Sequence, residues 1–290
     1  MKICRYNDDR IGVVQGDMVI DVTAVLEQLP AQRWPIPPGD QFIASLPRLL
    51  PMMAKLAETG EEHPLASVRL KSPVANPSKI IAAPLNYKLH VDESAASAAI
   101  HNGVHMTNHE GFATPVDKFG LFLKANTSLC GPADGVAINW PGRRNDHEVE
   151  LAVIIGRTAR HVPEAEARSY IAGYAIGLDM TVRGTEDRSM RKSADGYSVL
   201  GPWLVTADEI ADPGNLDFWI DVGNERRQSA NTRDLTVGVD RLIAMASAAY
   251  TLLPGDIIYT GTPEGVNTVK AGDTMVAWVD KIGEMRVTLR

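Results

Sequence analysis

Glu148-Val149-Glu150-Leu151-Ala152-Val153-Ile154-Ile155-Gly156 is the stretch on which the reading of this chain turns. Its β-branched residues and the alternation at its start predict a strand. Side chains in a strand alternate between its faces, so Glu148 and Glu150 fall on one side and Val149 and Leu151 on the other. Two like charges held side by side repel unless solvent or a cation compensates them. Hard oxygen ligands without thiolates favour Mg²⁺ or Mn²⁺ over zinc. Taken alone, such a pair more often marks a solvated strand face.

Asp179 adds a third carboxylate. It lies in Ala175-Ile176-Gly177-Leu178-Asp179-Met180, an apolar run in which a lone charge is costly without a partner. A third oxygen ligand beside Glu148 and Glu150 explains it economically, and an Asp capping a turn through Thr181 fits the same residues. Upstream, Asn86-Tyr87-Lys88-Leu89-His90-Val91-Asp92-Glu93 sets His90 and Glu93 on one side of a helical turn. A carboxylate accepting one ring N–H fixes the tautomer and raises the basicity of the other nitrogen, as a general base activating water requires. An exposed helical ion pair has the same spacing.

Lys192, within Met190-Arg191-Lys192-Ser193-Ala194-Asp195-Gly196, and Arg183 are candidates for binding anions, although loop cations are usually plain surface charge. His101, His105 and His109 recur at a spacing that suits a histidine metal site. Gly103 and Gly111, with Asn102, Thr107 and Asn108, interrupt a continuous helix there, so residues 94–117 read as a polar lid segment instead.

Outward from these residues, Ile11 to Val22 reads as two short strands about a Gly16-Asp17 turn, followed by a helical pattern through Val25 and Leu26. Trp34-Pro35-Ile36-Pro37-Pro38-Gly39 and Ser72-Pro73-Val74-Ala75-Asn76-Pro77 are breaks. The boundary is set between a small N-terminal α+β domain, 1–71, and a catalytic domain, 72–290. Beyond it, strands are expected at Ile80 to Ala83, Val136 to Trp140, around Ile257-Ile258-Tyr259, at Met275 to Val279 and at Met285 to Leu289. Helices are expected from Pro163 and over Asp240 to Leu252. No repeat, GxGxxG or P-loop is present.

The chain of 290 residues, 44% hydrophobic, can fill a substantial core. A net charge of -7, from 36 acidic and 29 basic residues spread along the length, offers no basic stripe, so no nucleic-acid or membrane partner is expected. Cys4 and Cys130, far apart, suggest neither a disulfide framework nor a thiolate zinc site. The charged N-terminus and the lack of a long apolar run make a soluble, cytoplasmic protein the expectation.

Further motifs fall in the same chain order: Phe122-Leu123-Lys124, Gly173-Tyr174 leading to Asp179 and Arg183, Lys192-Ser193-Ala194-Asp195, Gly201-Pro202-Trp203, Pro254-Gly255-Asp256, and Thr260-Gly261-Thr262-Pro263 with Gly265-Val266. Together with Asn86-Tyr87-x-x-His90-x-x-Glu93 and the opening stretch, they resemble the fumarylacetoacetate hydrolase family over residues 78–290, in character the acylpyruvate hydrolases. The resemblance implies a mixed β fold with α, a β-roll of twisted mixed sheets with flanking helices, assembled as a homodimer. It implies that Glu148, Glu150 and Asp179 bind one Mg²⁺ or Mn²⁺ and that His90 and Glu93 form a dyad on a lid helix. Lys192 would face the substrate, and Tyr87, Arg183 and Thr260-Gly261-Thr262 would help hold it. Glu186 stands where the family often places a substrate-facing Gln.

The activity so implied is hydrolysis of a C–C bond in a small-molecule 2-oxo acid, a fumarylpyruvate or maleylpyruvate, to pyruvate and a carboxylic acid in aromatic-compound catabolism. The same scaffold serves oxaloacetate-type decarboxylation and isomerisation of 2-hydroxyhepta-2,4-diene-1,7-dioate. A non-catalytic oxo-acid- or metal-binding protein is the alternative from another class. The presence of both dyad members and all three carboxylates argues against it.

Overall fold

The computed structural model describes residues 1–97, 100 and 111–290. Val149–Ile155 is a strand buried along its whole length. It pairs antiparallel with Ile171–Asp179 on one side and with Ile257–Tyr259 on the other. Ile257–Tyr259 in turn runs parallel to Ile80–Ala82, and Ser198–Thr206 flanks Ile171–Asp179 antiparallel. The sheet therefore mixes both directions. Strand Lys2–Tyr6 extends it beyond Ser198–Thr206, carrying the N-terminal hairpin Arg10–Gln15 and Met18–Asp21 with it. Among the described residues this sheet has 12 strands.

The central strand is apolar on both faces because each face meets its own core. Val149, Leu151, Val153 and Ile155 join one cluster, with Tyr174, Ile176 and the helix residues Leu242 and Ile243. Ala152 and Ile154 join the other, against Ile43, Leu46, Leu49 and Met53 of helix Gln41–Leu56. Each such aliphatic side chain, fully buried, contributes roughly 1.5–3 kcal/mol. Alternation puts Glu150 on the side of Ala152 and Ile154. A separate antiparallel sheet is formed by Glu225–Asn231, Asp217–Val222, Thr274–Val279 and Gly283–Thr288. Mixed sheets with flanking helices are thus the architecture, as the resemblance implies.

Several local expectations change. Helix Gln41–Leu56, capped by the Asp40 side chain, accommodates Pro47 and Pro51 on its exposed side. Residues 136–140 form no strand; Val136 makes an isolated bridge to Leu289, after the turn of 3₁₀ helix at Pro132–Asp134. The helix expected from Pro163 is the 3₁₀ segment Glu164–Tyr170, and the later one runs Val239–Ala249. His101, His105 and His109, with half of the proposed lid segment, lie outside the described residues. No described helix is long and apolar enough to cross a membrane.

Candidate active site

Glu148 precedes the central strand, Glu150 lies within it, and Asp179 ends its antiparallel neighbour. The pairing of Val149 with Leu178 and the Asp179 N–H to Glu148 carbonyl bond of 2.9 Å bring the three side chains to one end of the sheet. One carboxylate oxygen from each lies within 4.8 Å of the others, close enough to converge on a single ion. All three are buried, with Glu148 5%, Glu150 1% and Asp179 1% exposed, so the solvated strand face does not apply.

Cations and backbone donors hold this cluster. Lys192 Nζ donates to Glu148 at 2.5 Å, Asp179 at 2.7 Å and Thr181 Oγ1 at 2.6 Å. Arg183 bridges Glu148 at 2.9 Å and the buried Asp146 at 2.7 Å. Lys124, also buried, donates to Asp179 and to the Tyr197 carbonyl at 2.7 Å. Burial alone would push Glu148 up, but Lys192, Arg183 and His90 bring it down to about 2. Glu150 makes no ion pair among the described residues, and Lys192 lowers it only in part. Burial, then the charges of Asp179 and Glu148, push it well above the ordinary carboxylate range, and its hydrogen bond comes from the Gly261 N–H.

That crowding suits a metal ion. Three convergent carboxylates, one of them held against its ionised form, form a hard oxygen set that a dication would relieve. The donor set contains no thiolate or imidazole, as suits Mg²⁺ or Mn²⁺.

Beside the carboxylates, helix Lys88–Ala96 carries His90 and Glu93 on one side. His90 Nδ1 and Glu93 Oε2 are 2.9 Å apart, and the second Glu93 oxygen accepts the Gly265 N–H at 2.9 Å. The carboxylate thereby ties the helix to the turn after Thr260. Gly265 has φ +91, and a Cβ there would stand 2.0 Å from the Arg227 carbonyl oxygen, so only glycine fits. His90 is buried, and the exposed ion pair is excluded.

His90, Glu148, Glu150, Asp179, Arg183, Lys192 and Thr262 all line one cavity, joined by Phe122, Arg188 and Arg191. Other residues assigned to substrate lie elsewhere. Thr260 Oγ1 donates to the Leu151 carbonyl at 3.0 Å, and Gly261 serves Glu150, so both brace the central strand. Tyr87 is buried off the cavity, its hydroxyl without a partner among the described residues. Glu186 also lies off the cavity, in a two-pronged ion pair with Arg143 at 2.8 and 2.7 Å. Asp146 and Arg188 escaped the sequence reading, and Arg191 was visible only inside the stretch around Lys192. Lys124 was visible only as part of a motif.

Residues 79–290 match the family description Fumarylacetoacetate (FAA) hydrolase C-terminal, and residues 1–73 match Rv2993c-like, N-terminal. The chain belongs to the fumarylacetoacetate hydrolase family. It is 53% identical to a maleylpyruvate hydrolase of Aquipseudomonas alcaligenes, over 100% of this chain and 99% of that one. A 2,4-didehydro-3-deoxy-L-rhamnonate hydrolase of Sphingomonas sp. (strain SKA58) is 34% identical, over 99% and 95%. The crystal structure of maleylpyruvate hydrolase from Sphingobium sp. SYK-6, in complex with manganese(II) ion and pyruvate, is 40% identical. It superposes with a TM-score of 0.82, covering 100% of this chain and 98% of that one.

Proposed function

We propose that this protein is a metal-dependent acylpyruvate hydrolase, acting on a substrate of the maleylpyruvate or fumarylpyruvate type and releasing pyruvate and a carboxylic acid. It would thus belong with the hydrolases of carbon–carbon bonds in ketonic substances. The observation that carries this reading is the meeting of three buried carboxylates and a carboxylate-oriented histidine in one cavity. The full-length likeness to a maleylpyruvate hydrolase, and the manganese and pyruvate named for the Sphingobium structure, support it.

Glu148, Glu150 and Asp179 would hold the ion. Bound there, Mg²⁺ or Mn²⁺ supplies a Lewis acid for the 2-oxo-acid end of the substrate. The chain's own groups do the proton work. With Nδ1 committed to Glu93, His90 presents Nε2 as the base that removes a proton from water. The water oxygen adds to the distal carbonyl carbon. The bond from that carbon to the methylene then breaks, its electron pair passing to pyruvate enolate, and the proton taken by His90 returns to the methylene carbon. Lys192, an ammonium inside the cavity wall, stabilises the negative oxygen as it develops. Arg183 fixes Glu148 through its second bond to Asp146. Assembly as a homodimer rests on the family resemblance, and light scattering on the purified protein measures it.

The direct test is maleylpyruvate and fumarylpyruvate with the purified protein and Mn²⁺, Mg²⁺ or chelator, followed by loss of the enol absorbance and product analysis. Pyruvate with maleate or fumarate is expected, and chelator stops the reaction. Release of carbon dioxide, or an isomer without cleavage, would reject hydrolysis.

A further inference from the structure

Helix Arg188–Lys192 begins at the Asp187 side chain, which accepts the Ser189 N–H, and it ends on the lysine that reaches Glu148 and Asp179. Arg188 and Arg191 line the same cavity as Lys192. Residues three and four apart share a helix face, so Arg188, Arg191 and Lys192 form one cationic stripe. Along this axis Arg188 stands about 6 Å from Lys192, at roughly 1.5 Å of rise per residue. Lys192 meets the carboxylates, and Arg188 enters the cavity wall one helical turn earlier, beside the Phe122 ring that Lys192 also faces at 5.8 Å. The arginines are set in place. Arg191 Nε donates to the Glu186 carbonyl at 2.8 Å, and the Arg188 guanidinium lies over the Phe122 ring, 4.9 Å from its centroid.

Charge gives the stripe a purpose. Among the described residues, the cavity wall carries four cationic side chains, Arg183, Arg188, Arg191 and Lys192, against three carboxylates. A bound dication raises the positive excess from one to three, more than the single carboxylate of a simple 2-oxo acid can offset. Burial first, and then the neighbouring Arg191, lower Arg188 to about 10, against the opposing pull of Asp179, Asp187 and Glu148. An anion between the two guanidinium groups relieves their repulsion, and guanidinium matches carboxylate in two-pronged geometry.

We propose that Arg188 and Arg191 form the receptor for a second, distal carboxylate, making the site selective for dicarboxylic 2-oxo acids. This rests on the acylpyruvate reading for the orientation of the ligand, with its 2-oxo-acid end at Glu148, Glu150 and Asp179. It differs from the family resemblance, which points to Glu186 as a substrate contact. The carboxyl group of Glu186 pairs with Arg143, whereas its backbone carbonyl positions Arg191.

The test is binding of two chains that cannot be hydrolysed, 2-oxoheptanedioate and 2-oxoheptanoate, identical except for the terminal carboxylate. Calorimetric titration of the Mn²⁺-loaded protein is expected to show about 10- to 100-fold tighter binding of the diacid, the range of a charge-assisted hydrogen-bond pair. In Arg188→Met and Arg191→Met that ratio is expected to fall toward one, and Arg188→Lys is expected to restore part of it. Equal affinity of the unaltered protein for both acids would overturn the proposal. So would a ratio that survives both methionine variants. Cleavage of acylpyruvates is measured separately: its absence, with the diacid preference intact, would sink the hydrolase reading and leave the receptor standing.

Discussion

Replacing Glu93 by Gln changes one oxygen to an amide nitrogen, and both oxygens are in use, one facing His90 Nδ1 and one accepting the Gly265 N–H, each at 2.9 Å. If the amide oxygen keeps Gly265, the NH₂ group faces Nδ1. The ring must then accept there and carry its proton on Nε2, which removes the base from the cavity. If the amide is reversed, two N–H donors oppose each other at Gly265, at a cost of about 1–3 kcal/mol for the unsatisfied buried donor. The first arrangement is therefore preferred and the wrong tautomer dominates. A comparable loss of histidine orientation in a catalytic triad lowers kcat about 10⁴-fold, and general-base catalysis alone accounts for about 10²–10⁴. Glu93→Gln is expected to reduce kcat on an acylpyruvate by about 10²–10⁴ at saturating Mn²⁺. Mn²⁺ affinity, read by electron paramagnetic resonance of the free ion, is expected to stay within about threefold, because Glu93 is outside the carboxylate trio. A kcat near that of the unaltered protein would refute the dyad. A parallel collapse of Mn²⁺ affinity would reassign Glu93 to the metal site.

Glu148→Ala or Asp179→Ala is expected to abolish Mn²⁺ binding in the same measurement. Each also strands Lys192 without one of its carboxylates, so in chelator the unfolding free energy from urea titration should fall by about 3–5 kcal/mol, the usual loss when one member of a buried pair is removed. Full activity of both variants in chelator would reject the three-carboxylate site. Glu186→Gln is expected to change kcat/KM less than about threefold, because the group that holds Arg191 is the backbone carbonyl; a larger effect would return Glu186 to the substrate. Asp21 tests the N-terminal unit. Burial raises its carboxyl, but the Tyr6 hydroxyl, Thr23 and Arg10 hold it below its ordinary value. A depressed folded-state value gives stability that is present at neutral pH and lost as pH falls through that value. Asp21→Asn should therefore lower the urea midpoint at pH 7 and flatten its decline in acid; an unchanged acid limb would count against this account.

The central strand was legible because Val149 to Ile155 is an unbroken run of strand-forming, apolar residues. The burial of its glutamates was not, since a charged pair in sequence looks the same whether its face meets water or Lys192. His90 and Glu93 needed only a helical turn, which local spacing supplies. Asp146 and Arg183 meet across the short pairing of Asn145–Asp146 with Thr181–Val182, a contact set by a register that joins positions 37 apart in sequence. Lys124 sits on a strand at the end of the large sheet and reaches Asp179 across 55 positions of sequence. Helix Gln41–Leu56 repeats its apolar residues at Ile43, Leu46, Leu49 and Met53, but its two prolines masked the pattern. Pro132 and Pro141 bracket residues 136–140, where a single bridge to Leu289 replaces the expected strand.

The join between Lys2–Tyr6 and Ser198–Thr206 governs how the chain can be cut. Ile3 pairs with Leu204 and Lys2 with Val205, on a strand buried at every position. Deleting the N-terminal residues would lay bare a hydrophobic edge beside the strand that ends in Asp179, a ready template for adding strands from other molecules. The truncated remainder is therefore expected to self-associate, and a replacement N-terminus must supply a matching edge cover as well as a compatible linker.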